Sequence, residues 1–499
     1  MSSKTVGART SVAPRDYRLV RLFVIRGLGL TLFLAFGSLW LQIDGLMGSG
    51  GILPAADFMT HARSVLGGFD LGRLPTLCWV SCSDAMLNGL CGAGVGLSLL
   101  VLFGIAPPLS LFGAWAVYLS LCSVGGPFLS YQWDALLLEA CFVGIFLAPR
   151  QKLPGDAMRF PVPTASIFMM RWLVFRLFFM SGAVKWLSED PVWRDFTALN
   201  YHYFTQPLPG WTSYFAHHAP DLVHRIGVAA TFGIELIAPF CIFGPRRVRI
   251  GAFLAFTSLQ LTIAVTGNYG FFNLLTFVLC LTLLDDETLR RALPTRCLPA
   301  LPPAEAERQV QNRPRAFATT GIAIVVIGLT GLTTLTRLGL FAPSNQVLSS
   351  LRSLAPFRTL NQYGLFAVMT TRRGEIEMEG SLDGKEWRTY RFRHKPGDPF
   401  EAPGFSQPHM PRLDWQMWFA ALGTCSTAPW LRPFAERLLE ASPAVLGLLA
   451  HDPFDGQKPL YLRSVLYDYE FEALDEFRQT GQWWTRRRLG NFCPVWIQE

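Results

Sequence analysis

Lys185–Trp211 reads KWLSEDPVWRDFTALNYHYFTQPLPGW and separates two strongly apolar segments, Ser166–Leu187 and Ile226–Phe243. It is too polar and too proline-rich to continue either one through a bilayer. Its rings (Trp186, Trp193, Phe196, Tyr201, Tyr203, Phe204, Trp211) are interleaved with Lys185, Glu189, Asp190, Arg194, Asp195, Asn200, His202 and Gln206. Such a mixture suits a membrane–water boundary, where a ring buries its body and keeps a polar tip wet. Two readings stay open. The stretch is either a structural loop lying on the membrane surface or the mouth of a binding or catalytic cavity above a helix bundle.

Working outward, the chain is 499 residues long, 51% hydrophobic and 13% aromatic. Apolar runs of about 20 residues are long enough to cross the hydrocarbon core as helix. Candidate spans are Leu22–Leu41, Ala85–Ile105, Leu109–Val124, Ala135–Ala148, Ser166–Leu187, Ile226–Phe243, Ile250–Thr266, Phe271–Leu284 and Ala318–Leu340. The fold expected is a polytopic α-helical membrane protein of about nine spans, followed by a mixed, β-rich soluble domain. The helical part covers residues 1–341, with an outward aromatic loop at 188–224, and the soluble part covers 342–499. Between spans, Asp44–Asp84 reads as a mostly non-helical loop.

Charge supplies an orientation. A basic N-terminus (Lys4, Arg9, Arg15, Arg18, Arg21) placed in the cytoplasm puts Arg150/Lys152/Arg159, Arg246/Arg247/Arg249 and the arginines from Arg290 to Arg315 on the same side. That is the distribution the positive-inside rule asks for. The aromatic loop and the C-terminal part then face the periplasm or, in a eukaryotic cell, the lumen of the endoplasmic reticulum. The net charge of +8 follows from this loop bias and calls for no nucleic-acid partner, whereas membrane lipid is an expected one.

In the C-terminal part, alternation over Glu375–Glu379 and Trp387–Arg393 around Asp383-Gly384 predicts a hairpin, and Leu462–Phe471 with Trp483–Arg488 predicts a second strand pair. Leu413–Leu422 and Pro433–Leu449 have helical character. Cys91, Cys122, Cys141, Cys241 and Cys280 fall in spans and Cys297 in a cytoplasmic linker, while Cys78, Cys82, Cys425 and Cys493 face the oxidising side. Cys425 and Cys493 are the disulfide candidates; Cys78 and Cys82 lack the CxxC redox spacing.

Charges in or beside spans are Asp134, Glu139, Arg171, Arg176, Lys185 and Glu235. Each costs roughly 2.5–3.5 kcal/mol at a helix centre, so they should pair or line a polar cavity. Carboxylates at Asp134 and Glu139 facing Arg171 and Arg176 on the next span are an economical arrangement. Lys185 then stands at the rim of a cavity below the aromatic loop. His217, His218 and His224 lack zinc-site spacing, no phosphate loop or nucleophile elbow occurs, and no metal or cofactor is expected.

Several ordered stretches resemble the lipase maturation factors. They are Tyr131-Gln-Trp-Asp134, Leu136-Leu-Leu-Glu139, Ile145-Phe-Leu-Ala-Pro149, Arg171-Trp-Leu-Val-Phe-Arg176 and Asn200-Tyr-His-Tyr-Phe-Thr-Gln-Pro207. Glu235-Leu-Ile-Ala-Pro239, Gly267-Asn-Tyr-Gly270, Asn361-Gln-Tyr-Gly-Leu-Phe366, Lys395-Pro-Gly-Asp-Pro399 and Arg412-Leu-Asp-Trp415 continue the series. The resemblance implies a membrane chaperone of the secretory pathway that helps lipases, or other exported clients, fold and assemble. It implies client recognition in the soluble part, with Tyr363, Asp398, Arg412, Asp414, Trp415 and Trp418 as candidates. The loop candidates are Trp193, Arg194, Asp195, Asn200, Tyr201, His202, Tyr203 and Gln206.

A more distant resemblance, carried by Met180-Ser-Gly-Ala-Val-Lys185 with Trp193 behind it, is to the lysine-bearing helix of vitamin K-dependent γ-glutamyl carboxylases. It implies an alternative, an integral-membrane enzyme using Lys185 with Asp134, Glu139 or Arg171 around an intramembrane cavity. The segment matching the carboxylase histidine reads Tyr131-Gln-Trp-Asp134 and holds none. A third reading is a lipid- or quinone-handling pocket below the aromatic loop. With no complete catalytic set visible, the non-enzymatic assembly factor is the expectation. In it Trp415, Trp418, Trp483 and Trp484 either grip clients or pack a sheet core.

Overall fold

The computed structural model describes residues 16–294, 296, 298 and 313–498. Lys4, Arg9, Arg15, Cys297 and most of the 294–315 linker lie outside them. Among the described residues, seven helices are long and apolar enough to cross a membrane. They are α1 (Arg18–Trp40), α2 (Asp84–Phe103), α3 (Pro107–Val124), α5 (Thr164–Leu187), α6 (Asp221–Cys241), α7 (Arg246–Thr266) and α9 (Pro314–Arg337). Between them stand α4 (Gln132–Leu147) and α8 (Phe272–Leu283), the two other segments expected to span. At 1.5 Å per residue the 16 residues of α4, and the fewer of α8, fall short of the ~30 Å hydrocarbon core. Both are buried inside the bundle.

α1 is the axis of the bundle, with Leu19, Val24, Leu28, Leu32, Phe36 and Leu39 buried along its length. It crosses α2 so closely that a Cβ on Gly29 would lie 2.6 Å from the Leu102 backbone nitrogen. Its first turn is capped from far away: both Asp286 carboxylate oxygens accept, at 2.9 Å, from the amides of Leu19 and Val20. A carboxylate there satisfies orphan donors at the positive end of the helix dipole. Apolar side chains such as Leu109, Phe240, Leu254, Leu261 and Ile324 remain exposed on the outer faces, as bilayer contact requires.

The 44–84 stretch departs from expectation. It contains a helix at Ala55–Leu66, because Met59 and Ala62 recur on one face and are buried while Asp57, His61 and Arg63 stay outside.

The C-terminal region carries an antiparallel sheet of β1 (Arg373–Ser381), β2 (Arg388–Tyr390), β3 (Tyr461–Phe471), β4 (Trp484–Asn491) and β5 (Trp496–Ile497), in the order β2-β1-β3-β4 with β5 on β3. The expected hairpin turns at Asp383-Gly384, where Gly384 adopts φ 74° and the Asp383 carboxylate accepts from the amides of Lys385 and Glu386. A helix, α10 (Arg412–Ala421), lies on β1. The helical character expected over Pro433–Leu449 is realised as two helices, Leu431–Leu439 and Pro443–Leu446, with Ala441 at φ 51° between them. A disulfide joins Cys425 and Cys493, whose Cα atoms are 5.3 Å apart.

The region does not hang free. The aromatic loop is folded into short helices at Pro191–Arg194, Ala198–Thr205 and Trp211–His217, and it is sandwiched between bundle and sheet. Phe204 and Tyr214 pack with Tyr469, Phe471 and Trp484 of the sheet. Arg373 of β1 donates to the Phe204 and Pro207 carbonyls at 2.8 and 2.9 Å, and the Trp418 indole donates to Thr205 O at 2.8 Å.

Candidate functional site

Three buried charge clusters hold the span charges Asp134, Glu139, Arg176, Lys185 and Glu235. Asp134, at the start of α4, faces Arg412 of α10 in a two-pronged pair, with Oδ1–Nη2 at 2.9 Å and Oδ2–Nη1 at 3.0 Å. Tyr118 donates to the same carboxylate at 2.6 Å, and Arg412 also donates to Phe128 O at 2.6 Å. Both members of the pair are fully buried. One turn and a half deeper, Glu139 pairs with Arg176 of α5, the cross-hairpin contact expected. Its other oxygen accepts from Tyr363 Oη at 2.7 Å and from the Asn361 amide and side chain at 3.1 Å. Arg171 joins neither carboxylate. Five residues from Arg176 it faces a different side of α5, donating to Thr282 O at 2.8 Å and lying over the Tyr17 ring.

The third cluster is Lys185 and Glu235. Lys185 donates to Glu235 Oε1 at 3.0 Å, to Oε2 at 2.8 Å and to Ser181 O at 3.2 Å, so all three of its N–H bonds are satisfied. The ammonium also sits 5.3 Å from the centre of the Trp193 ring. Glu235 belongs to a wide π-turn, Gly233–Ile237, inside α6. Pro239 has no N–H to offer the Glu235 carbonyl and crowds it, which opens that turn. On the facing helix a Cβ at Gly182 would lie 2.8 Å from the Glu235 Cβ, so only glycine lets α5 and α6 approach closely enough for the pair.

This pair borders a cavity of about 420 Å³ enclosed by α5, α6, α7 and the aromatic loop. Trp193, His202, Tyr203 and Gln260 line it, and Phe366 and Met369 of the C-terminal region close it. The closing segment is pinned by Trp193 Nε1 donating to Phe366 O at 3.0 Å and by the Met369 amide donating to Asp190 at 2.6 Å. Phe366 holds φ 53°, an uncommon backbone for an aromatic residue. Burial, with Lys185 adding to it, pushes His202 down to about 4, so its imidazole is neutral at neutral pH. Gln260 was not anticipated. Its only sequence signal is a lone amide within the apolar run of α7.

The remaining loop candidates brace the structure. Asn200 bridges Asp221 at 2.9 Å and His224 at 2.7 Å, and Gln206 donates to Thr266 O at 2.8 Å. Arg194 pairs with exposed Glu189, the Asp195 carbonyl accepts from Arg225, and Tyr201 packs in the loop core. Most of the client-recognition candidates lie inside the molecule. Tyr363, Arg412, Asp414, Trp415 and Trp418 are all buried, because they face the bundle and the loop rather than solvent. Asp414 caps the His394 and Lys395 amides at 2.8 and 2.9 Å. Trp484 is core as well, Trp483 packs on Tyr214, and Asp398 is half-buried at the surface beside exposed Phe400.

Fold and clusters together define an integral membrane protein whose sheet-bearing C-terminal region completes the polar interior of its helix bundle. The chain belongs to the lipase maturation factor family. Residues 19–291 match the lipase maturation factor transmembrane domain and residues 359–494 the lipase maturation factor C-terminal domain. It is 34% identical to lipase maturation factor 2 of Rattus norvegicus, across 96% of this chain and 83% of the relative. It is also 34% identical to lipase maturation factor 1 of Bos taurus, across 95% of this chain and 88% of the relative. The figures for human lipase maturation factor 2 are 33%, 96% and 82%. No solved structure matches the chain.

Proposed function

We propose that this protein is a membrane-embedded folding and assembly factor for secreted lipases or related exported proteins. The observation that carries the reading is similarity to proteins named lipase maturation factors over 96% of the chain, bundle and C-terminal region alike. In this reading the helical part, 1–341, is a rigid mount, and the extracytoplasmic part, 342–499, meets the client. The N-terminus lies in the cytoplasm and the C-terminal region in the periplasm or the lumen of the endoplasmic reticulum. Basic residues on the N-terminal side of the bundle (Arg18, Arg246, Arg290) and a disulfide in the C-terminal region support that orientation. Client contact falls to side chains that reach the surface, Asp398 and Phe400 foremost.

The enzymatic alternative gains no support from the site. Lys185 has no donor left for a substrate, and Asp134, Glu139 and Arg171 are each engaged elsewhere. The test is the specific activity of secreted lipase from cells lacking this gene, with and without the wild-type chain. Restoration of activity per unit of lipase mass is expected. Equal specific activity in both would sink the proposal.

A further inference from the structure

The cavity under the aromatic loop has a lateral opening and a polar end whose hydrogen-bonding capacity is incomplete. α6 packs on α7 over its Gly233–Cys241 end, and the two helices diverge toward the loop. Along that gap Val223, Ala230, Ser258 and Thr262 both line the cavity and lie exposed on the outside of the bundle. The opening therefore faces acyl chains near the loop-side boundary of the membrane, the depth at which lipid polar groups lie. A volume of about 420 Å³ falls within the ~300–1,000 Å³ typical of small-molecule sites.

The lining specifies the chemistry of an occupant. Gln260 is only 7% exposed and its Oε1 has no hydrogen-bond partner among the described residues. A buried carbonyl left this way costs stability unless something donates to it. His202 touches the Phe366 ring, and neither of its ring nitrogens bonds to another described residue. As a neutral imidazole it offers one donor and one acceptor. The charges nearby already cancel, since Lys185 and Glu235 satisfy each other. An anionic head would meet Glu235 with no free cation beside it among the described residues, and a cationic head would meet Lys185. Hydroxyls match what remains, donating to Gln260 and exchanging hydrogen bonds with His202. Leu177, Ile234, Leu259 and Ile263 leave the rest of the wall apolar.

We propose that this cavity is a binding site for an uncharged, hydroxyl-headed lipid, which enters between α6 and α7 and sets its head against Gln260 and His202. The site is independent of the client-folding reading, since it rests on the cavity alone.

The test uses the full-length protein purified in detergent and radiolabelled monoolein, with unlabelled monoolein and oleate as competitors. Saturable binding of one monoolein per chain is expected, with oleate at pH 8 competing at least ten-fold more weakly. Gln260→Leu should weaken binding roughly ten-fold, the scale of one lost hydrogen bond. Ala230→Trp, an apolar change at the exposed mouth that leaves the core intact, should abolish it. Leu109→Trp on α3 should leave it unchanged. Unsaturable partitioning, preference for oleate, or monoolein binding indifferent to both Ala230→Trp and Gln260→Leu would each overturn the proposal.

Discussion

Asp134 and Arg412 are 278 residues apart in the chain and meet through two hydrogen bonds of 2.9 and 3.0 Å in a site that water does not reach. Tyr118 donates to the carboxylate and the Phe128 carbonyl accepts from Arg412, while Arg412 Nε stays without a partner among the described residues. Removing one partner leaves the other charged and buried, a change that typically costs about 3–5 kcal/mol. Arg412→Met and Asp134→Leu should therefore each lower the thermal midpoint of the detergent-solubilised protein. Replacing both together should recover much of the loss, since apolar residues of similar volume need no partner. Additive losses in the double variant would show that the two do not act as a pair.

The contact at Gly182 makes a narrower claim. Any side chain there must displace Glu235 or Leu236. Gly182→Val is expected to destabilise by about 1–3 kcal/mol, the usual cost of overpacking a helix crossing. Gly37, where an added Cβ meets nothing, is the matched control. If Gly37→Val proves as harmful as Gly182→Val, close approach of α5 and α6 is not what the glycine provides.

Acid should loosen the molecule in a defined window. His202, His217 and His409 are all held down at about 4, against an ordinary 6.5, with burial the leading cause in each. A histidine whose folded value is depressed binds its proton more readily when unfolded. The unfolded state thus takes up more protons between pH 6.5 and 4, and stability falls as pH drops through that interval. Thermal midpoints should be level above about pH 7 and decline toward pH 4. His202→Phe should flatten the decline, and a profile unchanged by that substitution would remove His202 from the account.

The disulfide tests the orientation directly. Cys425 and Cys493 close a loop of 68 residues, worth roughly 3–4.5 kcal/mol in a chain-entropy treatment. Cys425→Ser should make the C-terminal region markedly more protease-sensitive. In sealed microsomes or inverted membrane vesicles, whose outer face is cytoplasmic, Cys493 should be protected from a membrane-impermeant maleimide when it is the one cysteine kept in the chain. Labelling of Cys493 in these intact vesicles, at the level reached after detergent lysis, would reverse the proposed topology.

The proposed client contact lies at the surface beside Asp398. Phe400→Ser removes an exposed ring that supports no core contact in this region, so stability should hold within about 0.5 kcal/mol. Specific activity of the secreted lipase should fall several-fold in cells relying on the variant. Full rescue by Phe400→Ser would move client contact to another face.

Periodicity made the spans, the hairpin at Asp383-Gly384 and β3 legible, because each is a local pattern in hydrophobicity or turn chemistry. Glu139–Arg176 was legible too, since adjacent helices in a hairpin bring facing charges together. Asp134–Arg412 was not: nothing local links a residue in α4 to one in α10. Nor was the burial of Trp415 and Trp418. An aromatic residue in a β-rich region reads equally well as surface grip or as core, and only the docking of α10 against the bundle decides. Gln260 shows the converse case. Its signal was present as one amide in an apolar helix, but its meaning depends on the gap between α6 and α7, which no single-helix pattern encodes.

The dependence of α4 on α10 also sets an order of events. The chain emerges from the ribosome N-terminus first, so Asp134 is inserted into its bundle long before Arg412 has been synthesised. During that interval the carboxylate has Tyr118 but lacks its guanidinium. The membrane half is thus an unfinished product until the last fifth of the chain arrives, and a truncated copy should be recognised as defective by the cell's own surveillance of membrane proteins. A factor that completes others is itself completed from its far end.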